Sequence, residues 1–329
     1  MPCVDAVHAT RRFVFALLAS LLLPAAALAQ SFPNKPLRLI VRAAPGGTDD
    51  LIARLVAPAV GKTLGQQMIV DYRPGAGGLV AWEYVSKQPP DGYTVLLAAS
   101  GLAAIKSLRP DMPIDAFRDF TWVSQITSFM LVLTAHPSLP ARNIRELVAL
   151  ARSRPGQLSY GSSGVGATPH LAAEYFRSVA KIQINHVPYR GAGPMYLDLM
   201  GGRIELGSAV VGGAMQHIRN GKIRGLGVSG AKRSPELPDL PTILESGYPK
   251  FVFEPFYALV LPAKASPEVA GTLSEAVAKA MTTPEFREQF NRIVGSEVVV
   301  SRPEQMLQVA RQEAELIDRI VREAGIKAE

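Results

Sequence analysis

Along this chain, short β-branched and aliphatic runs repeatedly end in a loop of small residues that passes straight into a helical run. The first example is the most complete. Leu37-Arg38-Leu39-Ile40-Val41 reads as a strand, Arg42-Ala43-Ala44-Pro45-Gly46-Gly47-Thr48 as the loop, and about Asp49 to Thr63 as an amphipathic helix. The junction recurs at Arg73-Pro74-Gly75-Ala76-Gly77-Gly78, at Gly161 to Thr168, and at Arg190-Gly191-Ala192-Gly193-Pro194. Strands that alternate with helices commit a chain to an α/β fold, with helices covering a parallel sheet. Each junction also leaves free backbone N–H groups at a helix start, backed by the positive end of the helix dipole. Such a place seats a phosphate or a carboxylate.

Buried-looking strands are read at Leu37–Val41, Met68–Asp71 and Thr94–Ala98, with helices near Asp49–Thr63 and Leu79–Lys87. A second set follows at Leu131–Thr134, Leu158–Tyr160, Ile184–Val187, Ile204–Leu206 and Ile223–Val228. Its helices lie near Ile144–Ser153, His170–Val179, Met195–Met200 and Met215–Asn220. The C-terminal part is helical. Ser266 before Pro267 and Thr283 before Pro284 read as N-caps, and Ser301 with Glu304 as a capping box around Pro303. The last helix runs to Gly325 with one apolar face, carrying Met306, Val309, Ala310, Ile317, Ile320 and Val321. That face must dock, and the first lobe is the expected partner.

The first 29 residues have the form of a secretory signal: Arg11-Arg12, the apolar run Phe13 to Leu23, then Ala27-Leu28-Ala29 before Gln30. The run is too short for a bilayer span, and Pro24 interrupts it. Cleavage before Gln30 leaves 300 residues and removes Cys3, the one cysteine. The expected product is a soluble periplasmic protein without disulfides, large enough for two lobes. Without Arg11, Arg12 and Asp5, the 35 basic and 28 acidic residues become 33 and 27, a net charge of +6. This surplus favours anionic partners. No basic run with interleaved aromatics suggests nucleic acid.

The glycine loops do not complete a nucleotide motif. Gly75-Ala76-Gly77-Gly78-Leu79-Val80 and Gly164-Val165-Gly166-Ala167-Thr168-Pro169 each lack the last glycine of G-x-G-x-x-G. Gly161-Ser162-Ser163-Gly164-Val165 puts valine where a nucleophile elbow needs glycine. His170 is read as ordering the loop before it through a backbone hydrogen bond, and His186 as a satisfied core histidine. His136, His170, His186 and His217 lack metal spacing. Asp49-Asp50 complements a helix dipole. No metal, cofactor or catalytic group is indicated, which suits binding without turnover.

Ordered motifs then carry a resemblance over the whole mature chain. They include Pro45-Gly46-Gly47-Thr48-Asp49-Asp50 with Ala53-Arg54, Asp71-Tyr72-Arg73-Pro74-Gly75-Ala76-Gly77-Gly78, and Pro90-Asp91-Gly92-Tyr93-Thr94. Further on stand His136-Pro137-Ser138-Leu139, His186-Val187-Pro188-Tyr189-Arg190-Gly191, Gly221-Lys222-Ile223-Arg224 and Leu237-Pro238-Asp239-Leu240-Pro241-Thr242. The chain resembles the Bug family, periplasmic solute receptors of tripartite tricarboxylate transporters. The resemblance implies a two-lobed periplasmic binding protein of type II-like topology, each lobe a sheet flanked by helices, joined by two crossovers. Residues 30–130 and 257–329 would form lobe 1 and residues 131–256 lobe 2.

The ligand, a small carboxylate, would lie between the lobes, with no cofactor. Pro45, Gly46, Gly47, Thr48 and Ser100 of lobe 1 would hold it, with Ser162, Ser163, Gly164, Gly166, Ala167 and Thr168 of lobe 2. Ala209 and Phe256 stand where the family often has aspartate and tryptophan, Ala43 where it often has phenylalanine, and Arg42 where it often has proline. Ala209 in the cleft would favour acids without an amino group. Ala43 would leave room for a larger ligand, and Arg42 would offer a fork to a second carboxylate. Expected partners are the transporter membrane subunits or, as the alternative, a sensor protein, with the receptor itself a monomer.

Overall fold

Among the described residues, ten strands divide between two five-stranded sheets built to one plan. The computed structural model describes residues 32–75, 78–189 and 191–326. The predicted signal sequence, the cut before Gln30, and Ala76, Gly77 and Arg190 of two junctions lie outside the described residues. The first run of elements is β1 (Leu37–Val41), α1 (Thr48–Leu64), β2 (Met68–Tyr72), α2 (Leu79–Ser86), β3 (Thr94–Ala99), the short α3 (Ser100–Ala103) and α4 (Ile105–Leu108), and β4 (Phe120–Ser128). The second is β5 (Leu131–Ala135), α5 (Ile144–Ser153), β6 (Ser159–Ser162), α6 (Thr168–Ala180), β7 (Asn185–Pro188), α7 (Ala192–Met200), β8 (Leu206–Val210), α8 (Val211–Arg219) and β9 (Arg224–Val228). The chain then returns through β10 (Phe256–Pro262) to α9 (Pro267–Met281), α10 (Pro284–Val294) and α11 (Pro303–Ala324).

The strand orders are β2-β1-β3-β10-β4 and β7-β6-β8-β5-β9. In each sheet the first three strands are parallel, and the fourth is antiparallel to both neighbours. That fourth strand is the one entered on crossing from the other sheet. The sheets are therefore mixed, where alternation alone predicts parallel ones. β4 and β10 are also absent from the sequence reading. β4 carries Thr, Ser and Gln within its run and is nonetheless almost wholly buried. Its polar side chains find backbone partners, as Thr127 Oγ1 does at the Glu297 carbonyl, 2.6 Å away.

The crossovers run side by side. Phe129-Met130 links β4 to β5, and the Phe129 N–H donates at 2.9 Å to the carbonyl of Pro255, the residue just before the returning strand β10.

β1 shows why the central strands are legible: Leu37, Leu39, Ile40 and Val41 are fully buried, as covered parallel strands require. α1 buries Ile52, Ala53, Val56 and Val60 on one face and stops at Gly65, whose left-handed φ of 69° suits glycine. Ser266 and Thr283 cap α9 and α10 by accepting from Val269 N–H and Phe286 N–H. The cap of α11 is one residue later than predicted. Arg302 occupies it and donates its N–H to Gln305 Oε1, because the Ser301 hydroxyl is taken by the Gln125 N–H of β4.

α11 does not dock on lobe 1 alone. Met306 and Ala310 join the lobe 1 core of Trp82, Leu96 and Trp122, whereas Ile317 and Ile320 join the lobe 2 core of Leu171 and Phe176. It straps both lobes. Among the described residues no helix is long and apolar enough to cross a membrane.

Candidate functional site

Where the C-terminal ends of β1 and β6 face each other, a cleft of about 720 Å³ opens between the lobes. Its lobe 1 wall begins at the β1–α1 junction. Gly46 has a φ of +99°, a region glycine enters without a Cβ penalty, and Gly47 is the N-cap of α1 with no side-chain cap. The loop is held from behind by the helix it feeds. The Gly46 N–H donates to Asp50 Oδ2 at 2.8 Å, and Asp50 also accepts from the Tyr72 hydroxyl and from Arg54 Nε. Those partners, Tyr72 foremost, hold the Asp50 carboxyl down at about 2. Asp49, beside it, accepts from the Tyr257 hydroxyl at 2.8 Å and lies 3.1 Å from Arg42 Nε. Burial opposes the Arg42 charge, but Asp49 and the Tyr257 oxygen outweigh it and raise its pKa. The two acids complement the dipole, as the sequence suggests, and also brace the loop.

The lobe 2 wall begins at the β6–α6 junction. Ala167 caps α6 without a side-chain bond, so the first-turn N–H groups of Thr168 and His170 are also open, Pro169 between them having none to offer. Here the bracing is aromatic. The Gly166 N–H donates to His170 Nδ1 at 3.1 Å, as expected from the sequence, which places the ring proton on Nε2. His170 stacks on His186 with centroids 4.1 Å apart, and His186 stacks in turn on Tyr160 at 4.9 Å. His186 Nε2 lies 2.7 Å from the Ser162 hydroxyl, which accepts the Gly164 N–H and donates to the Gly164 carbonyl. Burial, then the neighbouring charges, pushes both histidines down to about 4. With its Nδ1 engaged by Gly166, His170 is not poised as a base for Ser163.

Of the predicted ligand residues, Arg42, Thr48, Ser163, Gly164, Gly166, Ala167 and Thr168 line the cleft. Pro45, Gly46 and Gly47 form an exposed lip beside Thr48. Four others do not line it, and their burial explains why. Ser100 accepts the Phe256 N–H at 2.7 Å and ties α3 to the start of β10. Ser162 is fully buried beneath its own loop. Ala209 sits opposite Val132 in the lobe 2 core, and Phe256 packs edge-on against Trp122 in the lobe 1 core.

Ala209 therefore cannot be what disfavours a ligand ammonium group. Ala43 does not line the cleft either; the wall beside Arg42 is occupied by Phe129, packed on Tyr257 with centroids 5.6 Å apart.

Sequence reasoning missed Arg109, Trp82 and Tyr257, which also line the cleft. Arg109 follows a four-residue helix with no periodic pattern to mark it. Trp82 and Tyr257 read simply as core. The cleft wall carries two arginines and, among the described residues, no acidic side chain.

Comparison with known proteins agrees with this geometry. The sequence profile of the family described as "Tripartite tricarboxylate transporter family receptor" matches residues 52–326. Protein BugT of Bordetella pertussis is 33% identical over 301 residues, covering 91% of this chain and 92% of that protein. The structure of R. palustris Rpa4515 with adipate superposes with a TM-score of 0.79 at 32% identity, over 91% of this chain and all of that one. MatC (Rpa3494) from Rhodopseudomonas palustris, with bound malate, gives 0.72 at 27% identity over 89% and 100% of the two chains.

Proposed function

This chain belongs to the tripartite tricarboxylate transporter receptor family, a family of solute-binding receptors, and on that premise we propose that its ligand is a small organic carboxylate without an amino group. One observation carries this reading. Among the described residues, two uncapped helix N-termini, at Thr48 and Thr168, and two arginines line a cleft that offers no carboxylate to an ammonium group. The bound adipate and malate of the two related structures are carboxylates of this kind.

The first carboxylate is held between the lip Pro45–Thr48 and the loop Ser163–Thr168, with Ser100, Ser162, Ala209 and Phe256 supporting the walls from behind. A ligand touching both loops interacts more strongly with the closed arrangement of the lobes than with an open one, and shifts the population toward it. The paired crossovers at Phe129 and Pro255 are the natural hinge, and α11 must flex or slide where it spans the lobes. The closed receptor, working in the periplasm after cleavage before Gln30 and as a single copy, presents its ligand to the membrane subunits without chemical turnover. Delivery to a sensor protein is the alternative use of the same closure.

Calorimetric titration of the mature chain against mono-, di- and tricarboxylates and amino acids tests the reading. Low-micromolar or tighter binding of at least one non-amino carboxylate, recovered unchanged, is expected. Binding of aspartate or glutamate alone would overturn it.

A further inference from the structure

The charges on the cleft wall are not equivalent. Arg42 is committed to its own lobe: Asp49 lies 3.1 Å from Nε, Tyr257 faces the same guanidinium, and the side chain is only 27% exposed. Arg109 is different. It lines the cleft half-buried, and its guanidinium has no ion pair and no hydrogen bond among the described residues. Its backbone, by contrast, is tightly fixed. The Arg109 N–H donates to the Ile105 carbonyl at 2.7 Å, and its carbonyl accepts from Met112 N–H at 3.2 Å. Lys106 Nζ donates to the carbonyls of Pro110 and Met112, and Ser107 donates to Asp318 of α11. A braced turn thus presents one free fork of donors to the cleft.

The chemistry around it is apolar. Ile105, Leu108 and Met112 line the cleft from the same segment, and Ile52 and Leu79 line it from α1 and α2. A carboxylate meeting Arg109 there does so on a surface that holds little water, where a forked, charge-assisted contact is at its strongest.

Resting on the carboxylate reading above, we propose that Arg109 is a specificity-determining residue, which binds the second carboxylate of an α,ω-dicarboxylic acid whose apolar spine lies along Ile105, Leu108 and Met112. The first carboxylate takes the helix N-termini, and the hydrocarbon between the two ends covers the apolar wall. This assigns to Arg109 the role that the sequence suggests for Arg42, whose charge the fold has already used.

The test compares an α,ω-diacid with the monoacid of the same chain length on the wild type, Arg109→Gln and Arg109→Lys, by calorimetry at two salt concentrations. Wild type is expected to favour the diacid. Arg109→Gln should lose about tenfold or more for the diacid and no more than about twofold for the monoacid, with Arg109→Lys between, because a point charge lacks the fork. The unliganded melting temperature should move little, since among the described residues the side chain has no hydrogen bond or ion pair to lose. Equal losses for both acids that vanish at high salt would reduce Arg109 to long-range attraction and overturn the proposal. So would unchanged diacid affinity in Arg109→Gln, with the carboxylate reading left standing. Failure of every carboxylate to bind wild type would instead overturn that reading, and this proposal with it.

Discussion

The two lobes build the same loop with opposite electrostatics. Gly46 stands to Gly166 as Gly47 to Ala167, Thr48 to Thr168, and Asp50 to His170. In both loops a glycine N–H is caught by the side chain four residues on, inside the first turn of the following helix. In lobe 1 the acceptor is a fixed negative charge, with a second acid, Asp49, beside it. In lobe 2 the acceptor is a neutral ring, and the first turn of α6 contains no acid.

Carboxylates in the first turn stabilise a helix because they consume its N-terminal field, each worth about 0.3–1 kcal/mol. The α1 field is thus partly answered from within, and Arg42 and Arg54 are spent on restoring the balance. The α6 field is unanswered. Lobe 2 should therefore be the stronger anion seat, and lobe 1 the better-braced one.

Placing a competing carboxylate at each cap gives the largest effects. Ala167→Asp should lower ligand affinity at least about hundredfold, and Gly47→Asp only about tenfold, since α1 already holds two acids. Aspartate is a good N-cap residue, and a Cβ at Gly47 would meet no atom within 4 Å, so the unliganded fold should survive. Titration calorimetry beside unliganded melting curves decides the matter. The reverse order of the two losses would break the comparison.

Next in size is removal of the braces. His170→Leu leaves the half-buried Gly166 N–H without its acceptor and unstacks His186, at a cost of about 1 kcal/mol in stability, the net worth of a typical intramolecular hydrogen bond. Ligand affinity should fall by about tenfold as the lobe 2 loop loses its set geometry. Asp50→Asn keeps an acceptor for the Gly46 N–H and removes a charge from beside the seat. Affinity should then change by no more than about threefold, in either direction, because shape is kept while the field improves. Urea melts and titrations of the two variants sharpen the contrast; a larger affinity loss in Asp50→Asn would mean that the charge, not the loop shape, is what lobe 1 supplies.

These junctions were legible because small residues between a buried strand and an amphipathic helix have few structural uses. Gly46, Gly47 and the Ser162–Thr168 stretch could be read as strand-to-helix junctions from that alone, and His170 as a brace from its place in the first turn of the helix. The buried members of the implied site were not legible. Ser100, Ala209 and Phe256 lie close to cleft residues in sequence, but strand alternation and helix rotation decide which neighbour faces the ligand, and a one-residue difference reverses the answer. β4 was hidden because its polar residues are satisfied by backbone groups distant in sequence. Arg109 was hidden for the opposite reason: its importance is the lack of a partner, which only three-dimensional placement reveals.

The smallest expected effect is the dependence of the two braces on pH, and it separates them by window. Burial holds His170 and His186 down at about 4, against about 6.5 for the ordinary group. A histidine kept neutral by the fold contributes stability that is complete above pH 6.5 and is lost as pH falls toward 4. Asp50, held at about 2 against an ordinary 3.8, contributes stability that is lost only as pH falls from 3.8 toward 2. Between pH 6.5 and 4, then, lobe 2 loosens while lobe 1 does not. The global melting temperature blurs this, because Glu313 on α11 is raised by burial to about 7 and acts in the opposite sense, costing stability as pH rises from 4.5 through 7. A local probe is required. Amide exchange at Gly164 and Gly166, corrected for its intrinsic pH dependence, should lose protection severalfold between pH 7 and 4.5, while exchange at Gly46 holds steady. Ligand affinity should weaken over the same interval, and His170→Leu should flatten that slope. Protection lost first at Gly46, or lost equally in both loops, would show that the two braces are not the independent devices their chemistry describes.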